Sequence, residues 1–95
     1  MYVVVRWYRA ASQLMDALEQ GRADIERLVG DVRGFVAYYL VRSGDGGFSV
    51  TVCEDRIGAE ESNLLAADWL TENASTLPGN SPEVIEGEAA MHFGR

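Results

Sequence analysis

The chain of 95 residues is 47% hydrophobic and carries a formal charge of -7, so it makes one small domain and repels phosphate backbones; nucleic acid is not an expected partner. All eight cationic side chains are arginine, which excludes lysine Schiff-base chemistry and a P-loop; a single cysteine, Cys53, and a single histidine, His92, exclude an internal disulfide and a clustered metal site. No apolar run is long enough to span a bilayer and no signal-like segment opens the chain, so a cytoplasmic protein with no membrane partner is expected.

Tyr2 to Arg9 is rich in β-branched and aromatic residues and predicts a first strand. Ser12 is placed to cap the helix that follows, in which Leu14, Leu18, Gly21, Ile25 and Leu28 form one stripe. That stripe predicts a single helix running through Gly21, where the missing side chain permits close approach of helix and sheet, and ending at Gly30 or Gly34. Phe35 to Arg42 predicts a second strand, and Ser43-Gly44-Asp45-Gly46-Gly47 a hairpin turn. Phe48 to Glu54 is a third strand in which Phe48, Val50 and Val52 alternate with Ser49, Thr51 and Cys53.

A second helix is expected from about Ala59 to Ala74, with Ala59, Asn63, Ala66 and Leu70 on one face and Leu64 and Leu65 pointing away from it. After the loop Leu77 to Pro82, Glu83 to Phe93 predicts a last strand, bent at Gly87. Strand, helix, strand, strand, helix, strand is a split β-α-β unit repeated. The expected fold is ferredoxin-like α+β: a four-stranded antiparallel sheet with two helices on one face, in a single domain spanning residues 1–95.

Strands one and two, Tyr2-Val3-Val4-Val5 and Phe35 to Val41, do not alternate between apolar and polar residues. Two helices shield one face of a sheet, and an uncovered apolar face exceeds the few hundred Å² that monomers usually tolerate. A second copy stacked sheet on sheet buries it isologously, so the expected partner is the chain itself, as a homodimer.

Gly34-Phe35 opening strand two, Thr51-Val52-Cys53-Glu54-Asp55 ending strand three, and Trp69 on the second helix resemble the dimeric α+β barrel superfamily, in particular its antibiotic-biosynthesis-monooxygenase-like domains. The resemblance spans nearly the whole chain and implies a dimeric barrel. Members of that superfamily include cofactor-independent oxygenases of polyketide-like aromatics and haem-degrading enzymes. The chain departs from the family at Thr51 and Cys53, where an acidic residue and an aromatic are common. It also has no histidine between Met1 and Met91 and no asparagine on strand one, so haem degradation is not implied. The cofactor expectation is none.

Each candidate site residue has a packing alternative. Trp69 either stacks on a planar ligand between helix and sheet or fills the core. Arg6, among apolar neighbours, either points into the space between sheet and partner, where it binds a carboxylate or enolate oxygen, or pairs with Glu86 or Glu88 on a neighbouring strand. Tyr8, Tyr38 and Tyr39 offer hydroxyls to a cavity or pack half-buried. His92 is the one imidazole able to serve as a proton acceptor, or a surface residue near the end of the chain.

Two functions fit these residues. One is a small cofactor-independent monooxygenase-like enzyme acting on a small hydrophobic, aromatic or polyketide-like ligand. The other is a non-enzymatic homodimer that binds a small molecule or a partner protein, the latter through Leu64 and Leu65 on the second helix.

Overall fold

The structure is a computed structural model and describes residues 1–94. The elements are β1 (Tyr2–Tyr8), α1 (Ser12–Gln20), α2 (Arg22–Gly30), β2 (Phe35–Ser43), β3 (Gly46–Cys53), α3 (Arg56–Asn73) and β4 (Glu83–Glu88). The strands form one sheet in the order β2-β3-β1-β4, with every neighbouring pair antiparallel. This is the expected ferredoxin-like α+β topology, with the helices packed on one face. Among the described residues no helix is long and apolar enough to cross a membrane.

The first helix is not continuous. It breaks at Gly21, so three helices rather than two cover the sheet. The break falls where the chain meets another element: a Cβ at Gly21 would clash with Trp69 Cζ2 on α3. Gly21 thus admits a neighbouring helix rather than the sheet. Ser12 is the first residue of α1 and not its cap, since Ala11 holds that position without a side-chain hydrogen bond. The chain reaches α1 through Ala10, whose φ of 48° is left-handed, and Ala11 N–H donates to Asp45 O at 2.9 Å. At α3 the cap is regular: the Asp55 carboxylate accepts from Gly58 N–H at 3.1 Å.

The hairpin joins β2 to β3 through Gly44 and Asp45, with φ of 59° at Gly44, and a bulge between Phe35 and Ala37 shifts the β2 register. The pairing with β1 ends at Tyr2–Glu88 and residues 89–94 continue outside the sheet, which shortens the expected last strand. Leu65 corrects a further expectation: it packs against Val4, Val32, Cys53 and Ala59, while Leu64 stays 69% exposed. Gly58, Ser62, Leu65 and Trp69 follow one another at helical spacing, so the buried stripe of α3 is wider than the alanine positions alone indicate.

The register fixes which side chains share a face. Val4, Arg6 and Tyr8 of β1 lie with Ser49, Thr51 and Cys53 of β3 under the helices, and all six are buried. Val5 and Trp7 share the opposite face with Phe48, Val50, Tyr39 and Ile85, where Trp7 is 40% and Tyr39 57% exposed. The sheet is therefore more polar toward its helices than toward solvent. Two apolar clusters flank the polar strip. One gathers Tyr8, Leu14, Met15, Leu18, Trp69 and Leu70; the other gathers Val4, Val32, Cys53 and Ala59.

Glycine to alanine in an open helix gains up to about 1 kcal/mol. Gly21→Ala should instead cost about 1–3 kcal/mol, because the methyl overpacks Trp69. Urea unfolding reads the difference, and an unchanged or raised midpoint would show that the indole yields.

Candidate functional site

The polar strip under the helices is built around Arg6. Its residue is 4% exposed, and its side chain points beneath α3, not into the space between sheet and partner. One guanidinium nitrogen donates to Thr51 Oγ1 at 3.2 Å; the other donates to Ser62 Oγ at 3.4 Å and to Asn63 Oδ1. Ser62 donates its own proton to Ala59 O at 2.7 Å, which leaves its lone pairs to the guanidinium.

These partners are all neutral. Neither Glu86 nor Glu88 pairs with Arg6 directly. Asn63 bridges instead: its Nδ2 donates to Glu86 Oε2 at 3.3 Å, and Glu86 Oε1 also accepts from the Tyr2 hydroxyl at 3.1 Å. Glu88 contacts the terminal amine at 3.8 Å. Burial pushes the Arg6 guanidinium below its ordinary value, opposed by Tyr8, Tyr38, Cys53 and Glu86, yet a guanidinium stays charged at neutral pH.

Arg6, Tyr8, Tyr38 and Trp69 meet around one small void of about 20 Å³ between sheet and helices, closed by Leu18, Ile25 and Leu70 among others. Trp69 Nε1 and Ser49 Oγ are buried with no hydrogen-bond partner. An unpaired buried donor costs about 1–3 kcal/mol, so the indole N–H is free to bind an acceptor that reaches it. Burial, reinforced by Tyr8, raises the Tyr38 hydroxyl to about 12, and burial raises Tyr8 as well; Arg6 opposes both shifts. Ser49 lies against both tyrosine hydroxyls and also opposes the two shifts. Both hydroxyls are therefore protonated donors at neutral pH.

Two larger cavities adjoin the void. A trough of about 780 Å³ lies between α1–α2 and β2, with Leu18, Ile25, Val29, Phe35 and Tyr38 among its lining residues and Glu19, Arg22 and Glu26 beside them. Arg42 of β2 pairs with Asp16 and Glu19 of α1, tying strand to helix. A second cavity of about 430 Å³ lies between α3 and β4 and shares Arg6, Ala66 and Leu70 with the void.

The structure thus brings Arg6, Tyr8, Tyr38 and Trp69 together. It leaves His92 on the exposed segment after β4, outside the lining of these cavities, and Tyr39 on the far side of the sheet, where it meets only the rim of the trough. Sequence reasoning did not single out Ser49, Ser62 and Asn63 as site residues. The signal available for them was the polar side of β3 combined with Ser62-Asn63 on the sheet-facing side of α3.

No family model and no curated protein matches the sequence, whereas solved structures match its fold. MhuD, solved with two manganese protoporphyrin IX molecules per active site, aligns at a TM-score of 0.73 and 18% identity over 100% of both chains. SnoaB, a cofactor-independent oxygenase from Streptomyces nogalater, aligns at 0.66 and 18% over 99% of this chain and 96% of its own. A dimeric ferredoxin-like protein from an uncultured marine organism aligns at 0.65 and 9% over 99% and 97%. The fold is thus the ferredoxin-like α+β fold that these solved structures share.

The raised tyrosine values fix a pH dependence. Below pH 10 Tyr38 is protonated folded or unfolded, and its stabilising contribution is complete. Above pH 10 the unfolded state ionises first, so stability falls by roughly 2–3 kcal/mol as pH rises toward about 12. Urea unfolding across that range should show the fall, and Tyr38→Phe should remove most of it. An identical slope in Tyr38→Phe would contradict the assignment.

Proposed function

We propose that the protein is a homodimer that binds a small planar aromatic ligand in the trough between α1–α2 and β2, with a ligand oxygen seated beneath Trp69. The observation that carries this reading is the buried, unpaired indole N–H of Trp69 beside two protonated tyrosines, Tyr8 and Tyr38, that line the same void. A void of about 20 Å³ takes one oxygen atom and little more. The adjoining trough of about 780 Å³ suits an aromatic body. The homodimer is supported by the apolar outer face of the sheet and by the dimeric protein of the same fold.

The indole N–H and the tyrosine hydroxyls converge on the ligand oxygen, and the Arg6 charge lies close to it. Together they favour the ionised form of a phenol or enol, as preorganised donors do wherever negative charge develops. This is the protein's share of cofactor-independent oxygenation, the activity attached to SnoaB. An electron-rich carbon of the ionised ligand gives an electron pair to dioxygen and forms a C–O bond. Proton uptake makes a hydroperoxide, and loss of water across its O–O bond leaves a carbonyl. The void offers no carboxylate or imidazole to take the first proton, which goes to water or to Glu26 at the rim of the trough. That same lack of a base favours a second reading, a binding module without turnover.

An oxygen electrode and thermal shift, run with quinols and polyketide-like phenols, separate the two. Oxygen consumption that falls at least about tenfold in Trp69→Phe, which keeps an aromatic ring and removes the donor, is the expected result. A thermal shift without oxygen consumption selects the binding module. Neither signal with any phenol would contradict both.

A further inference from the structure

We propose that the cavity between α3 and β4 is a second ligand site, selective for a small monocarboxylate held by Arg6. It rests on the same buried strip as the trough but on a different observation. Arg6 is a guanidinium 4% exposed whose acceptors are a threonine, a serine and an asparagine, with no carboxylate paired to it among the described residues. A charge buried without a counter-ion is costly, and an apolar side chain of similar length would fill the space without that cost.

Those contacts engage three of the guanidinium's N–H groups, and arginine has five. The remaining two, one on Nε and one on Nη1, lie on separate edges of the group, so a carboxylate is held by a charge-assisted hydrogen bond to one oxygen rather than as a parallel pair. The α3–β4 cavity reaches Arg6, and at about 430 Å³ it accommodates a benzoate-sized molecule.

Its walls agree with that chemistry. Ala66, Leu70, Pro82 and Val84 offer apolar surface to a hydrocarbon body, and Asn63 stands next to the guanidinium. Asn80 is fixed in the wall by donating to Ala74 O at 3.0 Å and Ser75 O at 2.9 Å. Glu86, one residue removed from Arg6 through Asn63, sets the charge the site tolerates. One cation facing one nearby carboxylate favours a monoanion over a dianion such as phosphate.

Calorimetric titration of the full chain with benzoate, its neutral isostere benzamide and phosphate tests the proposal. Benzoate should bind at least about tenfold more tightly than either of the others. Arg6→Met should abolish that preference while melting at or above the wild-type temperature, the mark of a charge kept for a ligand. Ala67→Phe enters the same cavity from an exposed position of α3, and should weaken benzoate binding while leaving phenol binding in the trough unchanged.

Equal binding of benzoate and benzamide would overturn the proposal, as would undiminished benzoate binding in Ala67→Phe. A lower melting temperature in Arg6→Met with the benzoate preference intact would make Arg6 a structural strut. Should Arg6→Met not fold, the ligand comparison and Ala67→Phe decide alone. Loss of phenol binding with benzoate binding intact would count against the trough reading only.

Discussion

A guanidinium buried under a helix, held by hydroxyls and an amide instead of a carboxylate, is the constraint that organises this molecule. Arg6 sits midway along β1, a strand paired on both sides, opposite Ser49 of β3 and Val84 of β4. Thr51 supplies an acceptor from β3, and α3 supplies two more from Ser62 and Asn63. Apolar packing is displaced to either side, into one cluster around Leu14, Met15 and Trp69 and another around Val4, Val32 and Cys53. Hydrophobic burial at the two ends offsets a polar middle, and the void and the α3–β4 cavity both reach Arg6 there.

The other face of the sheet follows from the same arrangement. Period-two alternation places Val5, Trp7, Val50 and Phe48 outward once Arg6, Ser49 and Thr51 face the helices. Trp7 meets Phe48 with ring centroids 6.3 Å apart, and Arg9 lies 4.7 Å above the Trp7 ring. A surface of that composition gains by association, since each Å² of apolar area removed from water is worth roughly 25 cal/mol before the cost of joining two bodies is subtracted. Polar interior and apolar exterior are thus one feature of the sequence.

Much of the fold was legible in the chain because strand and helix periods are local properties. The split β-α-β order, the Gly44–Asp45 hairpin and the two-sided character of β3 all come from neighbouring residues. What local pattern does not contain is which side faces in. Ser49-Thr51-Cys53 and Phe48-Val50-Val52 were separable by alternation, yet ordinary expectation puts the apolar set inside, and here it lies outside.

The break at Gly21 escaped for a related reason. It falls at a contact with Trp69, on another element, and the local stripe runs through it unbroken. The site was half legible. Arg6, Tyr8, Tyr38 and Trp69 were singled out one by one, each as a chemically unusual residue for its place. Ser49, Ser62 and Asn63 are unremarkable until the register and the helix crossing bring them to the guanidinium. His92 drew notice as the lone imidazole, and chemical rarity alone did not locate it near the cavities.

The exchange of roles between the two sheet faces is tested most directly by sedimentation velocity at micromolar concentration, on wild type and on Val50→Glu. Wild type should sediment as a dimer, and a charge at the centre of the outward face should yield folded monomers. A wild-type monomer, or a dimer indifferent to Val50→Glu, would contradict it.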